Sequence, residues 1–147
     1  MDSQQKTDQI REQNSYLIAR ICHVHRNLVQ KKLAKFNMHV GQEMFLLPLW
    51  EQDGMNLTQL AGQICVQQAT VSRMLDRVEG SGLVRRTKDP EDGRVSLVYL
   101  TPKGRDLLEP IARLWQEVDE VMMKGFTFEE RLLFRRLLLQ VYSNLNT

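Results

Sequence analysis

Apolar residues recur at helical spacing along most of the chain, and polar breaks divide them into six predicted helices. The predicted helices span about residues 9–35, 41–51, 57–64, 68–79, 101–124 and 127–144. Asn37 interrupts the pattern after the first helix. Pro48 and Pro110 are expected to bend or shorten the second and fifth helices, because proline removes a backbone donor from the helix interior. The pattern predicts a mainly helical protein.

The middle of the chain departs from this pattern in a specific order. The third helix, capped by Asn56 or Thr58, leads through a turn at residues 65–67 into the fourth helix, which Gly80 and Gly82 end. Two runs of strand type follow, at residues 83–87 and 94–100, and Asp92-Gly93 suits the turn between them. Thr101-Pro102 then starts the next helix. This order predicts a helix-turn-helix followed by a small β-hairpin wing.

The fourth predicted helix has two chemically different faces. Val71, Leu75 and Val78, with Met74 beside them, form an apolar stripe. The opposite face carries glutamine, threonine, serine and arginine side chains. Arginine pairs with guanine and glutamine with adenine in the major groove, and serine or threonine serves either base. The face therefore predicts a DNA-reading helix, although a plain amphipathic helix with a solvated face has the same pattern.

Composition narrows the class of protein. The chain has 147 residues, 42% hydrophobic and 26% charged, and a net charge of +2, as in one globular domain. Residues 67–105 hold eight Lys and Arg against five Asp and Glu, so positive charge lies in the segment with the predicted reading helix. The two cysteines predict no disulfide framework and favour a cytoplasmic location. We expect no signal peptide, because the first fifteen residues are polar, and no membrane span.

One stretch of about 50 residues resembles a known family. The segment LTQLAGQICVQQATVSRMLDRVEGSGLVRRTKDPEDGRVSLVYLTPKGRDLL is similar to the core of the multiple antibiotic resistance regulator (MarR) family. The "LA" of the first motif helix, "TVSRMLDRVEGSGLVRR", the "DPEDGR" of the wing and "LTPKG" carry the resemblance. It implies a winged helix-turn-helix fold flanked by N- and C-terminal dimerisation helices.

The resemblance implies a DNA-binding transcriptional repressor that acts as a homodimer on a pseudo-palindromic operator. Residues 1–36 and 102–147 would form the dimerisation helices and residues 41–101 the DNA-binding lobe of a single MarR-type chain. The last helix supports this independently, since its apolar residues cover more than the stripe one neighbour would bury. The predicted dimer interface consists of Leu17, Ile21, Leu133, Leu137, Leu138 and Val141.

The family's DNA contacts map onto the recognition helix and the wing. The predicted DNA-binding residues are Gln67, Gln68, Thr70, Ser72, Arg73, Arg77, Arg86, Lys88, Asp92 and Arg94. Arg94 is expected at the minor groove, where negative potential attracts a guanidinium. Asp92 is expected to pair with Arg94 and fix its direction. Family wings often carry Arg where this chain has Glu91.

Three kinds of sensing site remain open. The resemblance implies a small aromatic or phenolic effector bound between the dimerisation helices and the DNA-binding lobe. Its predicted pocket residues are Ile21, His25, Phe36, His39, Met44, Phe45 and Trp115, each of which also suits plain core. A thiol switch would use Cys22 or Cys65. Cys22, His25 and His39 could together ligate zinc or copper, but they lack a compact metal-binding spacing, so no metal or cofactor is predicted.

Two further classes of function are weighed against DNA binding. The chain has no G-x-S-x-G, H-E-x-x-H, phosphate-loop or dinucleotide fingerprint, so no enzymatic activity is predicted. A winged-helix module that binds only protein is the closer rival. Such modules tend to lack arginine on the second motif helix and the wing, and this chain has Arg73, Arg77, Arg86 and Arg94 there.

Overall fold

The computed structural model describes residues 2–64 and 66–147. The helices are α1 (Ser3–Arg11), α2 (Asn14–Leu33), α3 (Gln42–Glu51), α4 (Leu57–Ile64), α5 (Gln68–Gly80), α6 (Pro102–Asp106), α7 (Leu108–Met122) and α8 (Phe128–Leu145), with one 3-10 turn at Ala34–Phe36. The strands are β1 (Met55–Asn56), β2 (Val84–Lys88) and β3 (Ser96–Leu100). The chain forms two compact units that meet in sequence between Leu114 and Trp115.

The predicted fold class is confirmed, since the chain is mainly helical with a small antiparallel sheet. The sheet has three strands in the order β1-β3-β2, one more than the predicted hairpin. Met55 pairs with Val98, and Arg86 pairs with Val98 from the other side. The short β1 precedes α4 directly and carries only two residues, too few for an alternating pattern to reveal it.

Two predicted helix boundaries are wrong. The first predicted helix is two helices, because Gln13 adopts an extended backbone and N-caps α2. Polar Asn14 and Ser15 follow it, and such side chains compete with helical hydrogen bonds. The predicted helix 101–124 is also interrupted, at Leu107 between α6 and α7. Pro110 explains this break, since its ring conflicts with the carbonyl four residues earlier, at the end of α6.

The core of the first unit lies between α3, the helix pair α4–α5 and the sheet. Its fully buried side chains include Phe45, Leu46, Leu49, Leu60, Val71, Leu75, Val78, Leu83 and Val98. The predicted apolar stripe of α5 is therefore confirmed. This burial fixes which face of α5 is turned to solvent.

Local hydrogen bonds define the ends of several elements. Asn56 Oδ1 accepts from the backbone N–H of Gln59 (2.8 Å), and Gln59 Oε1 accepts from that of Asn56 (3.0 Å), which caps α4. Thr101 caps α6 by accepting from Gly104 N–H (3.1 Å). Asn37 takes the left-handed conformation (φ 54°) and ends the 3-10 turn. The sequence predicted the cap at Thr101, the break at Asn37, and Asn56 or Thr58 as the cap of α4, of which Asn56 is the one observed.

In the second unit, α8 begins at a capping box. Thr127 Oγ1 accepts from Glu130 N–H (3.2 Å), and Glu130 Oε2 accepts from Thr127 N–H (2.8 Å), as predicted. The rings of Phe126 and Phe134 meet edge to face with their centroids 5.6 Å apart. In the part of the chain that the structure describes, no helix combines the length and the apolar character needed to cross a membrane.

Candidate nucleic-acid interface

The solvent face of α5 carries the polar side chains that the sequence assigned to DNA reading. Gln67 is the N-cap residue, with extended backbone (φ −68°, ψ 149°). Gln67, Gln68, Arg73 and Arg77 are exposed, and Thr70 and Ser72 are half-buried. Because the opposite stripe is buried, these side chains share the accessible side of one 13-residue helix.

One of these residues also joins the two motif helices. Gln68 Nε2 donates to Thr58 Oγ1 at 3.1 Å, linking the first turn of α5 to the first turn of α4. Thr58 was predicted only as an alternative helix cap. Its contact with Gln68 holds the N-terminal end of α5 beside α4. The turn residue Cys65 lies outside the described residues.

Arg86 lies in β2, with its side chain directed to α5. Its Nη2 contacts Asp76 Oδ1 at 2.6 Å and Glu79 Oε1 at 3.0 Å. Its Nε lies 3.2 Å from each carboxylate oxygen of Glu79, and its backbone N–H donates to Glu79 Oε2 at 3.2 Å. These bonds lower the pKa of Glu79 and raise that of Arg86, since each partner stabilises the charged form of the other.

The wing tip contains a further ion pair, between Asp92 and Arg94. Asp92 Oδ1 lies 3.1 Å from Arg94 Nε, and Asp92 Oδ2 lies 3.3 Å from Arg94 Nη2. The Arg94 side chain is 92% exposed. The predicted Asp92–Arg94 pair is confirmed, and the hydrogen bond from the Arg94 side chain lowers the pKa of Asp92. Arg94 thus projects into solvent while its direction is held.

The backbone of the wing tip forms a turn at the predicted place. Val95 N–H donates to the carbonyl of Asp92 (2.9 Å), and Asp89 N–H donates to that of Val95 (2.9 Å). Asp89 Oδ1 also accepts from Glu91 N–H (2.9 Å). Two of the three acidic residues therefore organise the loop, which explains their density beside an arginine. Glu91 itself is exposed.

The two remaining basic residues of β2 have different surroundings. Lys88 is exposed at the end of the strand and pairs with Ser96 across the sheet. Arg85, which was not predicted as a site residue, lies over the ring of Tyr99, 5.1 Å from its centroid. The contact forms because the two residues lie opposite each other on adjacent strands, a register that the sequence pattern did not specify.

The predicted effector residues occupy different environments. Phe45 is fully buried core, whereas Ile21 and Met44 are 44% and 46% exposed. His25 and Phe36 are half-buried and His39 is exposed. Trp115, half-buried, belongs to the second unit.

Glu43 is a buried carboxylate that sequence reasoning did not select. Its side chain is 3% exposed, and its Oε2 accepts from the backbone N–H of Gly41 at 2.9 Å. Burial raises its pKa, while the hydrogen bonds and the charges of Arg26 and His25 act in the opposite direction. Its position in the first turn of α3 also suits a negative charge, because helix N-termini carry positive potential.

The predicted dimer residues are exposed in the single chain. On α2, Leu17 and Ile21 are 56% and 44% exposed. On α8, the exposed fractions are 51% for Leu133, 44% for Leu137, 46% for Leu138 and 36% for Val141. Each helix therefore presents a row of large apolar side chains to solvent.

The alternative sensing sites would depend on cysteine and histidine side chains. Cys22 is an exposed thiol on α2. Across residues 2–64 and 66–147, no group of three His, Cys, Asp or Glu side chains is arranged to hold a metal ion. The histidines considered for a metal lie on α2 (His25) and in the loop before α3 (His39).

The joined helices α4 and α5, followed by the antiparallel wing strands β2 and β3, define a winged helix-turn-helix protein. A family model described as MarR family matches residues 38–96, which contain both motif helices and most of the wing. A MarR-family transcriptional regulator from Silicibacter pomeroyi is 31% identical, with a TM-score of 0.66, and the match covers 88% of each chain. The chain belongs to the MarR family, as the sequence resemblance indicated.

Two further solved structures are similar over most of the chain. The MepR–DNA complex of S. aureus has a TM-score of 0.82 and 26% identity, covering 90% of this chain and 98% of that one. A structure described as explaining regulation of DNA binding of Bordetella bronchiseptica BpsR by 6-hydroxynicotinic acid has a TM-score of 0.79 and 26% identity, covering 90% and 94%. Three curated HTH-type regulators align at 31–34% identity, and the chain spans only 50–64% of their own lengths.

Proposed function

We propose that this protein is a sequence-specific DNA-binding transcriptional repressor with no catalytic activity of its own. The observation that carries the proposal is the solvent face of α5, which presents Gln67, Arg73 and Arg77 beside a wing that projects Arg94. Base edges in the major groove are recognised by such side chains, and phosphates attract the arginines. The MepR–DNA complex supports the same partner, double-stranded DNA.

Some of these residues would recognise base edges, and others would bind the DNA backbone or the minor groove. On α5, Arg73 and Gln67 would read base edges, with Thr70 and Ser72 allowing close approach. On the wing, Arg94 would enter or border the minor groove and Lys88 would contact phosphate. A protein-binding winged-helix module would not need two exposed arginines on α5 and a third on the wing.

We propose that the protein acts as a homodimer. Residues 1–36 and 102–147 would supply the dimerisation helices, and residues 41–101 the DNA-binding lobe. The exposed apolar rows of α2 and α8 support this assignment, because large apolar side chains left in water are a liability for a monomer. A two-fold dimer places its reading helices in successive major grooves, so the operator would be a pseudo-palindrome with half-sites about 10 base pairs apart.

Selection of bound duplexes from a random pool tests the proposal directly. We expect enrichment of an inverted repeat with that spacing, at a protein concentration where a scrambled duplex is not retained. The double variant Arg73→Ala/Arg94→Ala is the matched control, and it should enrich no motif. Recovery of unrelated sequences by the wild type, with no shared half-site, would contradict sequence-specific DNA binding.

We further propose that a small aromatic acid releases the protein from its operator. The support is the described effect of 6-hydroxynicotinic acid on BpsR, a protein of the same fold at 26% identity. The enriched duplex should dissociate when salicylate-like acids are titrated in, and acetate at equal concentration is the control. A parallel titration with hydroperoxide, using wild type and the Cys22→Ser/Cys65→Ser variant, tests the rival thiol switch. Release by peroxide that the variant lacks would favour the thiol switch.

A further inference from the structure

Arg86 makes a set of contacts that its assignment as a DNA-binding residue does not explain. Its guanidinium bonds to Asp76 and to both oxygens of Glu79, and its own backbone N–H donates to Glu79 as well. The Arg86 side chain is 32% exposed, in contrast to 92% for Arg94 at the wing tip. Nε and Nη2 of the Arg86 guanidinium are therefore already engaged by carboxylates, and a phosphate would have to compete with Asp76 and Glu79 for them.

The positions of these residues in α5 and β2 bring the two carboxylates and the Arg86 guanidinium together. Asp76 and Glu79 are three residues apart, so they lie on one side of α5, in its second half. Arg86 is the middle residue of β2, opposite Val98 in the sheet. The bonds therefore connect the reading helix to the centre of the wing, away from the wing tip. A forked guanidinium that binds one carboxylate through two nitrogens fixes direction as well as distance.

We infer that Arg86 is a positioning residue that fixes the wing against the reading helix and does not itself contact DNA. The inference rests on the proposed function, in which α5 and the wing bind one duplex together. Two contact elements bind DNA simultaneously only when their spacing matches that of the grooves. A wing already held at that spacing loses less conformational entropy on binding. Arg86 also compensates the carboxylates of Asp76 and Glu79, which would otherwise disfavour an approaching phosphate.

The matched pair Arg86→Gln and Lys88→Gln tests this inference. Both changes remove one positive charge from β2, two residues apart. For Arg86→Gln we expect about tenfold weaker binding to the operator, an unchanged slope of log K against log salt, and a more mobile wing. For Lys88→Gln we expect an undisturbed wing and a slope that is smaller by about 0.9, the value for one lost phosphate contact. Wing mobility is measured without DNA, from backbone 15N relaxation of residues 84–100.

A third variant approaches the same contacts from the helix. Glu79→Gln leaves Arg86 in place but removes the bidentate carboxylate, so the wing should become more mobile than in the wild type. If Arg86→Gln does not fold, Glu79→Gln still tests whether the bonds between Arg86 and Glu79 order the wing. Arg86→Lys keeps the charge and loses the fork, and it should restore at most part of the wing order. Thermal unfolding of each variant separates loosening of the wing from loss of the fold.

The measurements distinguish a positioning role for Arg86 from a direct contact between Arg86 and phosphate. If Arg86→Gln lowers the salt slope as Lys88→Gln does, and leaves wing mobility unchanged, Arg86 contacts phosphate and the inference is wrong. An unchanged wing in Glu79→Gln would also overturn it. If the wild-type protein selects no duplex, the proposed function fails, yet the relaxation data still report whether Arg86 orders the wing.

Discussion

Asp92 binds Arg94 at three points, through the backbone N–H and two nitrogens of the guanidinium, with distances of 3.1 to 3.3 Å. Arg94 nevertheless remains 92% exposed. An isolated pair of this exposure contributes little to folding stability, since water and salt screen it. The pair instead orients the guanidinium. It holds the group away from the wing, on the side where we propose that the minor groove binds.

The first prediction concerns Arg94. Arg94→Ala should weaken binding more uniformly across duplexes than Arg73→Ala does, because phosphate charge is the same in every base sequence. The slope of log K against log salt should decrease by about 0.9. Arg113→Ala is the matched control, since Arg113 is also exposed and paired with a carboxylate, that of Glu109 at 3.3 Å. If Arg94→Ala binds with wild-type affinity and a wild-type salt slope, the wing tip does not contact DNA.

The second prediction separates reading from anchoring on α5. Arg73→Ala should cost about 1–3 kcal/mol on the selected operator and less on duplexes altered at the base pair it reads. Arg73→Lys keeps the charge but loses the rigid planar fork with which arginine pairs with guanine. It should therefore lose discrimination with little change in salt slope. Equal losses on every duplex for both variants would place Arg73 on phosphate instead.

The site could be predicted where its contacts are local in sequence. The Asp92–Arg94 pair lies within three residues, and the Thr127–Glu130 box within four, so residue type and spacing suffice. The apolar stripe of α5 follows from helical periodicity in the same way. The family resemblance then assigns the solvent face of that helix to DNA recognition.

Contacts between distant elements could not be predicted. The bonds from Arg86 to Asp76 and Glu79 depend on how β2 lies against α5, which no periodicity specifies. The pairing of Met55 with Val98 joins positions 43 residues apart in a strand of two residues. The family resemblance mapped Arg86 to the DNA-binding wing by its position, and position alone does not reveal its intramolecular partners.

The third prediction concerns the close approach of α6 to the sheet. A Cβ on Gly104 would overlap the carbonyl oxygen of Leu83, which also accepts from Thr101 N–H at 3.0 Å. The carbonyl cannot move without losing that bond. Gly104→Ala should therefore lower the free energy of unfolding by about 1–3 kcal/mol. Gly80→Ala, where a Cβ meets no atom within 4 Å, should be neutral or slightly stabilising. Equal stability of the two variants in urea would contradict this.

The fourth prediction tests the dimer. Leu137→Glu places a charge in the exposed apolar row of α8 and should yield monomers in sedimentation, because burying an unpaired carboxylate at an interface is costly. Gln140→Glu adds the same charge to the same helix outside the predicted interface, and it should remain dimeric. A Leu137→Glu protein that sediments as the wild type would refute the assignment of α8 to the interface.

The last prediction uses the buried carboxylate of Glu43. Burial raises its pKa above 4.5, so the folded chain holds this proton more tightly than the unfolded chain does. Between a pH of about 4.5 and the raised pKa, the folded state binds more protons than the unfolded state, so Glu43 lowers stability progressively as pH rises across that window. Glu43→Gln removes this titration and keeps an oxygen that can accept from Gly41 N–H. The stability of the variant relative to wild type should rise with pH and then level off.

Urea unfolding at a series of pH values and one fixed protein concentration measures this difference, since all other residues are common to both proteins. The carboxyl carbon of Glu43, followed by NMR in the folded protein, should titrate above 4.5. A difference in stability that falls as pH rises would mean that the bond from Gly41 and the charges of Arg26 and His25 outweigh burial, and that Glu43 stabilises the fold as a carboxylate.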